Sequence, residues 1–197
     1  LLYCIYTSGT TGKPKGVLLE NSGLLGLVTS YKELFGITEY DRVMQFASSS
    51  FDQSVGDIFG TLLNGAAIYV VDEETRYNIN ELEKYINRNS ITVASLTPKV
   101  IKELNPENLP KLRLLDSGGE AGDLNVLKKW VDSGINVINS YGPTEATVNT
   151  SCLCVNSETK KLTIGKPLRH LKVFVVADST LCGIGVPGEL CITGAGL

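Results

Sequence analysis

The chain has 197 residues, 43% of them hydrophobic and 20% charged, with a net charge of −3 at neutral pH. This is an ordinary globular balance with enough chain for one sizeable core or two small subdomains, and nothing in it suggests disorder. Lysine and arginine are scattered, so there is no basic stripe for nucleic acid and no polybasic anchor; with no apolar run of the roughly 18 residues a membrane-spanning helix needs, a cytoplasmic protein with no nucleic-acid or membrane partner is expected.

The start, Leu1 to Tyr6, lacks the charged region and cleavage site of a signal peptide. There is no initiating Met, and the sequence stops inside a glycine-rich stretch at Leu197, so it is expected to be an internal piece of something longer. Five cysteines (Cys4, Cys152, Cys154, Cys182, Cys191) are an odd number without metal-like spacing, and the lone His170 stands apart from them. Reduced thiols are the expectation, with Cys152 and Cys154 on one face of a strand.

In chain order, the apolar run Leu1-Leu2-Tyr3-Cys4-Ile5 leads into Tyr6-Thr7-Ser8-Gly9-Thr10-Thr11-Gly12-Lys13-Pro14-Lys15-Gly16. Glycines let the backbone approach a ligand, Thr7, Ser8, Thr10 and Thr11 supply hydroxyls, and Lys13 and Lys15 supply charge, a combination suited to phosphate. It is not the loop of the nucleotide-triphosphatases. Only Thr10 and Thr11 separate Gly9 from Gly12, Pro14 follows Lys13, and Gly16-Val17-Leu18-Leu19 reads as a strand or turn exit rather than a helix start. A second class of phosphate loop or a plain connection remains.

Asn21-Ser22 can cap a helix whose apolar positions Leu24, Leu27, Val28, Tyr31, Leu34 and Phe35 recur at three and four, ending near Gly36. Val43–Ala47 reads as a strand, Ser48–Ser50 as a turn and Phe51–Leu63 as a helix closed by Asn64-Gly65. Then the chain alternates: strand Ala67–Val71, helix Ile79–Arg88 with Asn80 and Glu83 in a capping arrangement, strand Ile91–Leu96, helix Pro98–Leu104, strand Lys111–Leu115, helix Leu124–Asp132, strand Ile135–Ile138. Repeated units of this length predict a parallel sheet with right-handed crossovers. Past residue 150 the helical pattern gives way to short β-like runs at Thr147–Val155, His170–Ala177 and Glu189–Thr193, which predicts a division into 1–150 and 151–197. Ligands of an open parallel sheet sit beyond the carboxyl ends of its strands, where Ser95-Leu96-Thr97, Asp116 to Glu120 and Asn139 to Gly142 all fall.

Tyr6 to Gly16 resembles the signature loop of the adenylate-forming enzymes, and Phe51-Asp52-Gln53-Ser54, Asn139-Ser140-Tyr141-Gly142-Pro143-Thr144-Glu145 and Gly188-Glu189-Leu190-Cys191-Ile192-Thr193-Gly194 resemble the family's next motifs in order. Within that family the sequence is similar to the amino-acid-activating adenylation domains of nonribosomal peptide synthetases. The resemblance implies an α/β fold, the parallel-sheet βαβ layers of the family's large domain followed by a β-rich stretch. It implies a reaction in which an amino acid and Mg·ATP give aminoacyl-adenylate and pyrophosphate, the aminoacyl group then passing to a phosphopantetheine thiol on a peptidyl carrier protein domain among other synthetase modules.

By the same resemblance, Thr7, Ser8, Gly9, Thr10, Thr11, Gly12 and Lys13 cradle the outer phosphates, and Thr144 contacts phosphate. Glu145 holds Mg²⁺, a hard cation that prefers oxygen ligands. Tyr141 stacks on adenine beside Gly142, Asn139 reads its exocyclic amine, and Gly119-Glu120-Ala121 form the other side of that pocket. Asp52 pairs with the substrate's α-ammonium; as an acid at the start of a helix it also complements the dipole. The family's side-chain pocket maps onto Asp52, Gln53, Gly56, Ser95, Asp116, Gly118, Ser140, Val148 and Asn149. Gly56 there leaves depth, and Asp116 adds a second carboxylate, so a long polar or basic side chain such as that of ornithine, lysine or arginine is expected, or failing that a hydroxylated or amide one. The alternative is that Asp116 turns to a protein cation or water. The family's ribose aspartate and transition-state lysine have no counterpart in 1–197, so these residues alone are expected to lack substantial activity. An acyl- or aryl-CoA ligase, disfavoured by Asp52, and a non-catalytic nucleotide-binding module are the rival readings.

Overall fold

A computed structural model describes residues 1–8 and 12–197. Gly9, Thr10 and Thr11 of the expected phosphate loop lie outside the described residues. β1 (Tyr3–Ser8) and β2 (Pro14–Leu19) pair antiparallel, Ser8 opposite Pro14. α1 (Asn21–Glu33) follows directly. Glu20 holds the N-cap without a side-chain bond, so the Asn21-Ser22 cap read from the sequence does not form: Asn21 is already the first helical residue. Leu27, Tyr31 and Phe35 are buried as the spacing predicts, while Leu34 faces outward.

β3 (Arg42–Gln45), α2 (Gln53–Leu62), β4 (Ala67–Val70) and the short α3 (Glu73–Arg76) come next. α3 is capped by Asp72, whose carboxylate accepts from the Thr75 N–H at 2.8 Å. α4 (Ile79–Arg88) is capped by Asn78 and not by Asn80, because the Asn78 Oδ1 is the one placed to accept from the Asn80 and Glu81 N–H groups. Then come β5 (Val93–Leu96), α5 (Pro98–Glu103), β6 (Leu114–Ser117), α6 (Leu124–Asp132) and β7 (Asn136–Tyr141). β8 (Ser151–Val155), β9 (Lys166–Pro167), β10 (Leu171–Ala177), β11 (Thr180–Leu181) and β12 (Glu189–Gly194) complete the chain.

Among the described residues, β4-β3-β5-β6-β7-β8-β9 form one sheet in that order, parallel from β4 to β7 and antiparallel at β8 and β9. A separate antiparallel sheet has the order β11-β10-β12. The composition shift near residue 150 coincides with the change to antiparallel pairing. The strand expected from Thr147 starts only at Ser151. Thr144–Ala146 form a 3₁₀ turn, and Thr147 and Val148 then take φ of 51° and 69°, a left-handed conformation that no strand accommodates. Among the described residues no helix is long and apolar enough to cross a membrane.

Strand alternation distributes the core to both faces of the sheet. Met44, Ala94, Leu115 and Val137 pack with α4, α5 and α6 through Leu82, Ile86, Ile101, Leu127 and Trp130. Val43, Val93, Leu114 and Ile138 pack on the other face with α1 and α2 through Leu27, Tyr31, Phe35 and Val55. Each such side chain contributes about 1.5–3 kcal/mol of apolar burial. Continuing the same parity toward the carboxyl ends puts Ser95, Asp116 and Ser140 on the α1–α2 face, where apolar residues give way to polar ones.

At the opposite strand ends a bidentate ion pair ties the layers. Arg113 Nε and Nη2 donate to Asp41 Oδ1 and Oδ2, both at 2.7 Å, while its other N–H groups reach the carbonyls of Phe35 and Gly36. Burial alone would raise the Asp41 pKa; the bonds from Arg113, Thr38 and Thr92 outweigh it and bring it from 3.8 to about 2. Asp41→Asn is expected to lower the unfolding free energy by about 2 kcal/mol at neutral pH, read by urea titration. Because the folded-state pKa is depressed, this contribution is fully present above about pH 4 and is lost as pH falls through the folded value, so the two proteins should converge there. Equal stability at neutral pH would contradict the assignment.

Candidate active site

β3 is the point where the chain order reverses, with β4 on one side and β5, β6 and β7 on the other, and ligand crevices form at the carboxyl side of such switch points. A cavity of about 340 Å³ opens there. Strand exits from β3, β5 and β6 contribute Phe46, Ser48, Ser95, Leu96, Asp116 and Gly118 to its wall. Asp52 and Gln53 come from the start of α2, and Ser140, Val148 and Asn149 close it from the side of β7. Eight of these eleven, all but Phe46, Ser48 and Leu96, are among the nine positions expected to form the side-chain pocket. The ninth, Gly56, is not on the wall. A Cβ there would lie 2.6 Å from Tyr31 Oη and 3.2 Å from Val148 Cγ1, so the space its missing side chain leaves is filled by Tyr31 and does not deepen the cavity.

Carboxylates outnumber cations on this wall, with Asp52, Asp116 and Glu120 against Arg76. Asp116, 1% exposed, accepts from the Ser140 hydroxyl at 2.5 Å. Burial pushes its pKa up, against the pull of the Ser140 and Ser95 hydroxyls, to about 6. Behind it stands Asp57, fully buried on α2 and accepting from Gln53 Nε2 at 2.9 Å. Its pKa is pushed up to about 8 by burial, with the Asp116 charge adding to the shift. Both carboxyls are thus shifted toward the protonated form, Asp57 more strongly than Asp116. The ion pairs of the described residues join Lys84 to Glu81, Arg113 to Asp41 and Arg169 to Glu33; Asp116 is in none of them. Asp52 is half-buried at the N-cap of α2 with no side-chain capping bond. Burial raises its pKa and the Glu145 charge pushes the same way, while the Thr144 hydroxyl favours the ionised form.

A second cavity of about 470 Å³ adjoins the first, sharing Gly119, Glu120, Ser140 and Gly142 with it. Ala121, Asn139 and Tyr141 line it from the motifs singled out in the sequence, and Leu162, Thr163 and Ile164 form the facing wall. Asn139 Nδ2 donates to the Thr163 carbonyl at 3.0 Å, which orients the side-chain oxygen as the free acceptor. Tyr141 is partly exposed, at 37%. Thr144 and Glu145 lie on the 3₁₀ turn after β7, Glu145 exposed and both beside Asp52. β2 packs against that turn, and the hairpin it forms with β1 carries Thr7, Ser8, Gly12 and the exposed Lys13 at its tip.

Sequence reasoning missed several contributors, Phe46, Ser48 and Arg76 of the first wall among them. Asp57 reads as an ordinary acid inside a helix, Tyr31 as plain core, and Leu162–Ile164 fall between short strands with no periodic pattern. The only available signal was that Asp57 and Gln53 are one helical turn apart on the face that carries Val55 and Gly56 toward the sheet.

The described geometry can be set beside known proteins. A family model described as "AMP-binding enzyme" matches residues 1–197. Tyrocidine synthase 1 of Brevibacillus parabrevis is 39% identical over 201 residues, covering 100% of this chain and 18% of that protein. Tyrocidine synthase 2 of the same organism is 41% identical over 200 residues, covering 100% of this chain and 6% of that protein. The chain thus spans less than a fifth of the length of these relatives. Among solved structures, the Vibrio cholerae adenylation domain AlmE in complex with glycyl-adenosine-5'-phosphate superposes with a TM-score of 0.87 at 31% identity, covering 99% of this chain and 39% of that one. The O-succinylbenzoate coenzyme A synthetase of Bacillus subtilis, in complex with ATP and magnesium ion, gives 0.87 at 27%, covering 98% of this chain and 41% of that one.

Proposed function

Because the chain belongs to the AMP-binding enzyme family, we propose that it forms the nucleotide and substrate crevice of an enzyme that activates an amino acid with ATP, giving aminoacyl-adenylate and pyrophosphate for thioester loading of a carrier-protein phosphopantetheine. The observation that carries this reading is the pair of adjoining cavities with Asp52 on the wall of the first. An α-ammonium on Asp52 directs the neighbouring carboxylate toward the shared boundary at Ser140 and Gly142, and an α-phosphate reaches the same boundary from the second cavity. Tyr141 offers a face for the adenine ring, and the free oxygen of Asn139 accepts from an exocyclic amine. Residues 1–150 then carry most of the crevice, Leu162–Ile164 wall its second cavity, and 151–197 begin a β-rich subdomain.

The donor chemistry fits magnesium. Glu145 and Thr144 offer hard oxygen atoms only, and among the described residues no group of three His, Cys, Asp or Glu is assembled as an all-protein cage. Mg²⁺ takes one or two carboxylates and completes its shell with phosphate oxygens and water, for which an exposed Glu145 suffices. When bound it supplies neutralisation of the triphosphate. Thr7, Ser8, Lys13 and the loop between them would hold the outer phosphates and release them with pyrophosphate. Lys13→Ala is expected to weaken kcat/KM for ATP roughly tenfold, the low end for a charge-assisted contact because Lys13 is exposed. Unchanged ATP kinetics would remove the loop from the mechanism.

Carrier-protein and synthetase-module partners follow from the same reading. ATP–pyrophosphate exchange by the intact protein that carries this sequence tests it. Exchange that depends on free amino acids supports amino-acid activation. Exchange driven by other carboxylic acids together with coenzyme A ester formation would favour a CoA ligase, and nucleotide binding without exchange would favour a non-catalytic module.

A further inference from the structure

At the start of α2 the Gln53 side chain is held twice. Its Nε2 donates to Tyr31 Oη at 3.1 Å and to Asp57 Oδ1 at 2.9 Å, which engages both amide hydrogens. Neither anchor lines the cavity: Tyr31 comes from α1, and Asp57 lies one turn farther along α2. Among the described residues no group donates to Gln53 Oε1, so the carbonyl oxygen is the polar atom that Gln53 offers to the cavity it lines.

The anchors are built into the packing. Tyr31 is buried, and Gly56 and Gly60 of α2 make room for it. A Cβ on Gly60 would lie 2.2 Å from Tyr31 Cδ1, and one on Gly56 2.6 Å from Tyr31 Oη. Asp57 is fully buried, and its Oδ2 has no hydrogen-bond partner among the described residues. Its Oδ1 accepts from Gln53, and burial together with the Asp116 charge favours its protonated form. Asp116 itself is oriented by the Ser140 hydroxyl. Arg76, the cation on the wall, turns its Nε and Nη2 onto the carbonyls of Phe46 and Val71 at 2.7 and 3.1 Å. The deep part of the cavity thus presents the Gln53 carbonyl and the Asp116 carboxylate.

The structure assigns Tyr31 and Asp57 as positioning residues that hold the Gln53 amide with its carbonyl toward the cavity, where it and Asp116 together receive a substrate side chain ending in an N–H cation, an ammonium or a guanidinium. This rests on the amino-acid activation proposed above. An ionised Asp116 buried without a protein counter-charge is costly, and a cationic side chain offsets that cost while supplying a donor to the Gln53 oxygen.

Pyrophosphate exchange by the intact protein with lysine, ornithine, arginine, glutamine and leucine tests the assignment. A cationic amino acid should drive the fastest exchange. Tyr31→Phe should raise the KM for that amino acid about three- to tenfold with the KM for ATP unchanged, as expected for loss of one neutral hydrogen bond. Asp57→Leu should do the same, whereas Asp57→Asn, which keeps a neutral acceptor, should stay near the parent; a purely structural role would not produce this rescue or spare ATP. Unchanged amino-acid KM in Tyr31→Phe and Asp57→Leu would overturn the positioning role, as would an Asp57→Asn protein as impaired as Asp57→Leu. Should Asp57→Leu not fold, Tyr31→Phe, which removes one hydroxyl, decides. Leucine as the best substrate would overturn the cation assignment while leaving amino-acid activation standing, and exchange with no amino acid would overturn both.

Discussion

Asp52→Asn is expected to raise the KM for the amino acid by about a hundredfold while leaving the KM for ATP nearly unchanged, because it removes a charge-assisted bond to the α-ammonium worth up to about 3 kcal/mol. The substitution is favourable as a test for two reasons. Asparagine is as good an N-cap as aspartate, and Asp52 makes no capping bond that the fold would lose, so α2 should survive. Burial already works against the charge on Asp52, and the nearby Glu145 works against it further. A bound ammonium relieves both, so the pKa of Asp52 should fall when the amino acid binds. An amino-acid KM that does not move in Asp52→Asn would detach the first cavity from amino-group recognition.

Gly142→Ala should be the more damaging change, lowering kcat/KM for both substrates by several hundredfold, since displacing substrate-positioning groups by about 1 Å can cost two orders of magnitude. A Cβ at position 142 would lie 2.1 Å from the Val148 carbonyl oxygen and 2.8 Å from Asn149 Cα. Both obstacles are backbone, in a segment already held in a left-handed conformation at Thr147 and Val148, and neither can swing aside as a long side chain would. The displaced segment forms a wall of the first cavity and anchors to β7 through the Thr150 N–H bond to the Tyr141 carbonyl at 2.7 Å. Overpacking of this kind also costs about 1–3 kcal/mol, which thermal unfolding would register. Kinetics within a few-fold of the parent would show that residues 148 and 149 do not set the geometry of the crevice.

The order of strands and helices was legible because apolar runs and 3.6-residue periodicity are local properties, and the position of the crevice followed from where polar residues interrupt those runs. Ser95, Asp116 and Ser140 each lie two residues beyond a buried apolar residue of the same parity, Val93, Leu114 and Ile138, so strand alternation alone assigns them to one face. Helix caps were read one or two residues away from their true positions, since Asn78 and Asn80 are equally good capping residues and only the exit from the preceding turn selects between them. The left-handed pair Thr147-Val148 was read as strand because β-branched residues favour strands; tertiary contacts override that preference, with Thr147 Oγ1 donating to the Gly196 carbonyl at 2.5 Å. Asp57 was illegible for a different reason. Its burial arises from α1 packing on α2, an interaction between segments far apart in sequence that the one-turn spacing from Gln53 does not by itself report.

Amino-acid activation is tested most directly by following the oxygen atoms. The intact protein would be incubated with ATP, magnesium and an accepted amino acid whose carboxylate carries heavy oxygen, and the AMP released after acyl transfer or hydrolysis would be weighed by mass spectrometry. Attack of the carboxylate on the α-phosphorus moves one labelled oxygen into the phosphate, so AMP carrying a single heavy oxygen is expected in step with amino-acid consumption. Unlabelled AMP, with the heavy oxygen retained in the amino acid, would contradict adenylation.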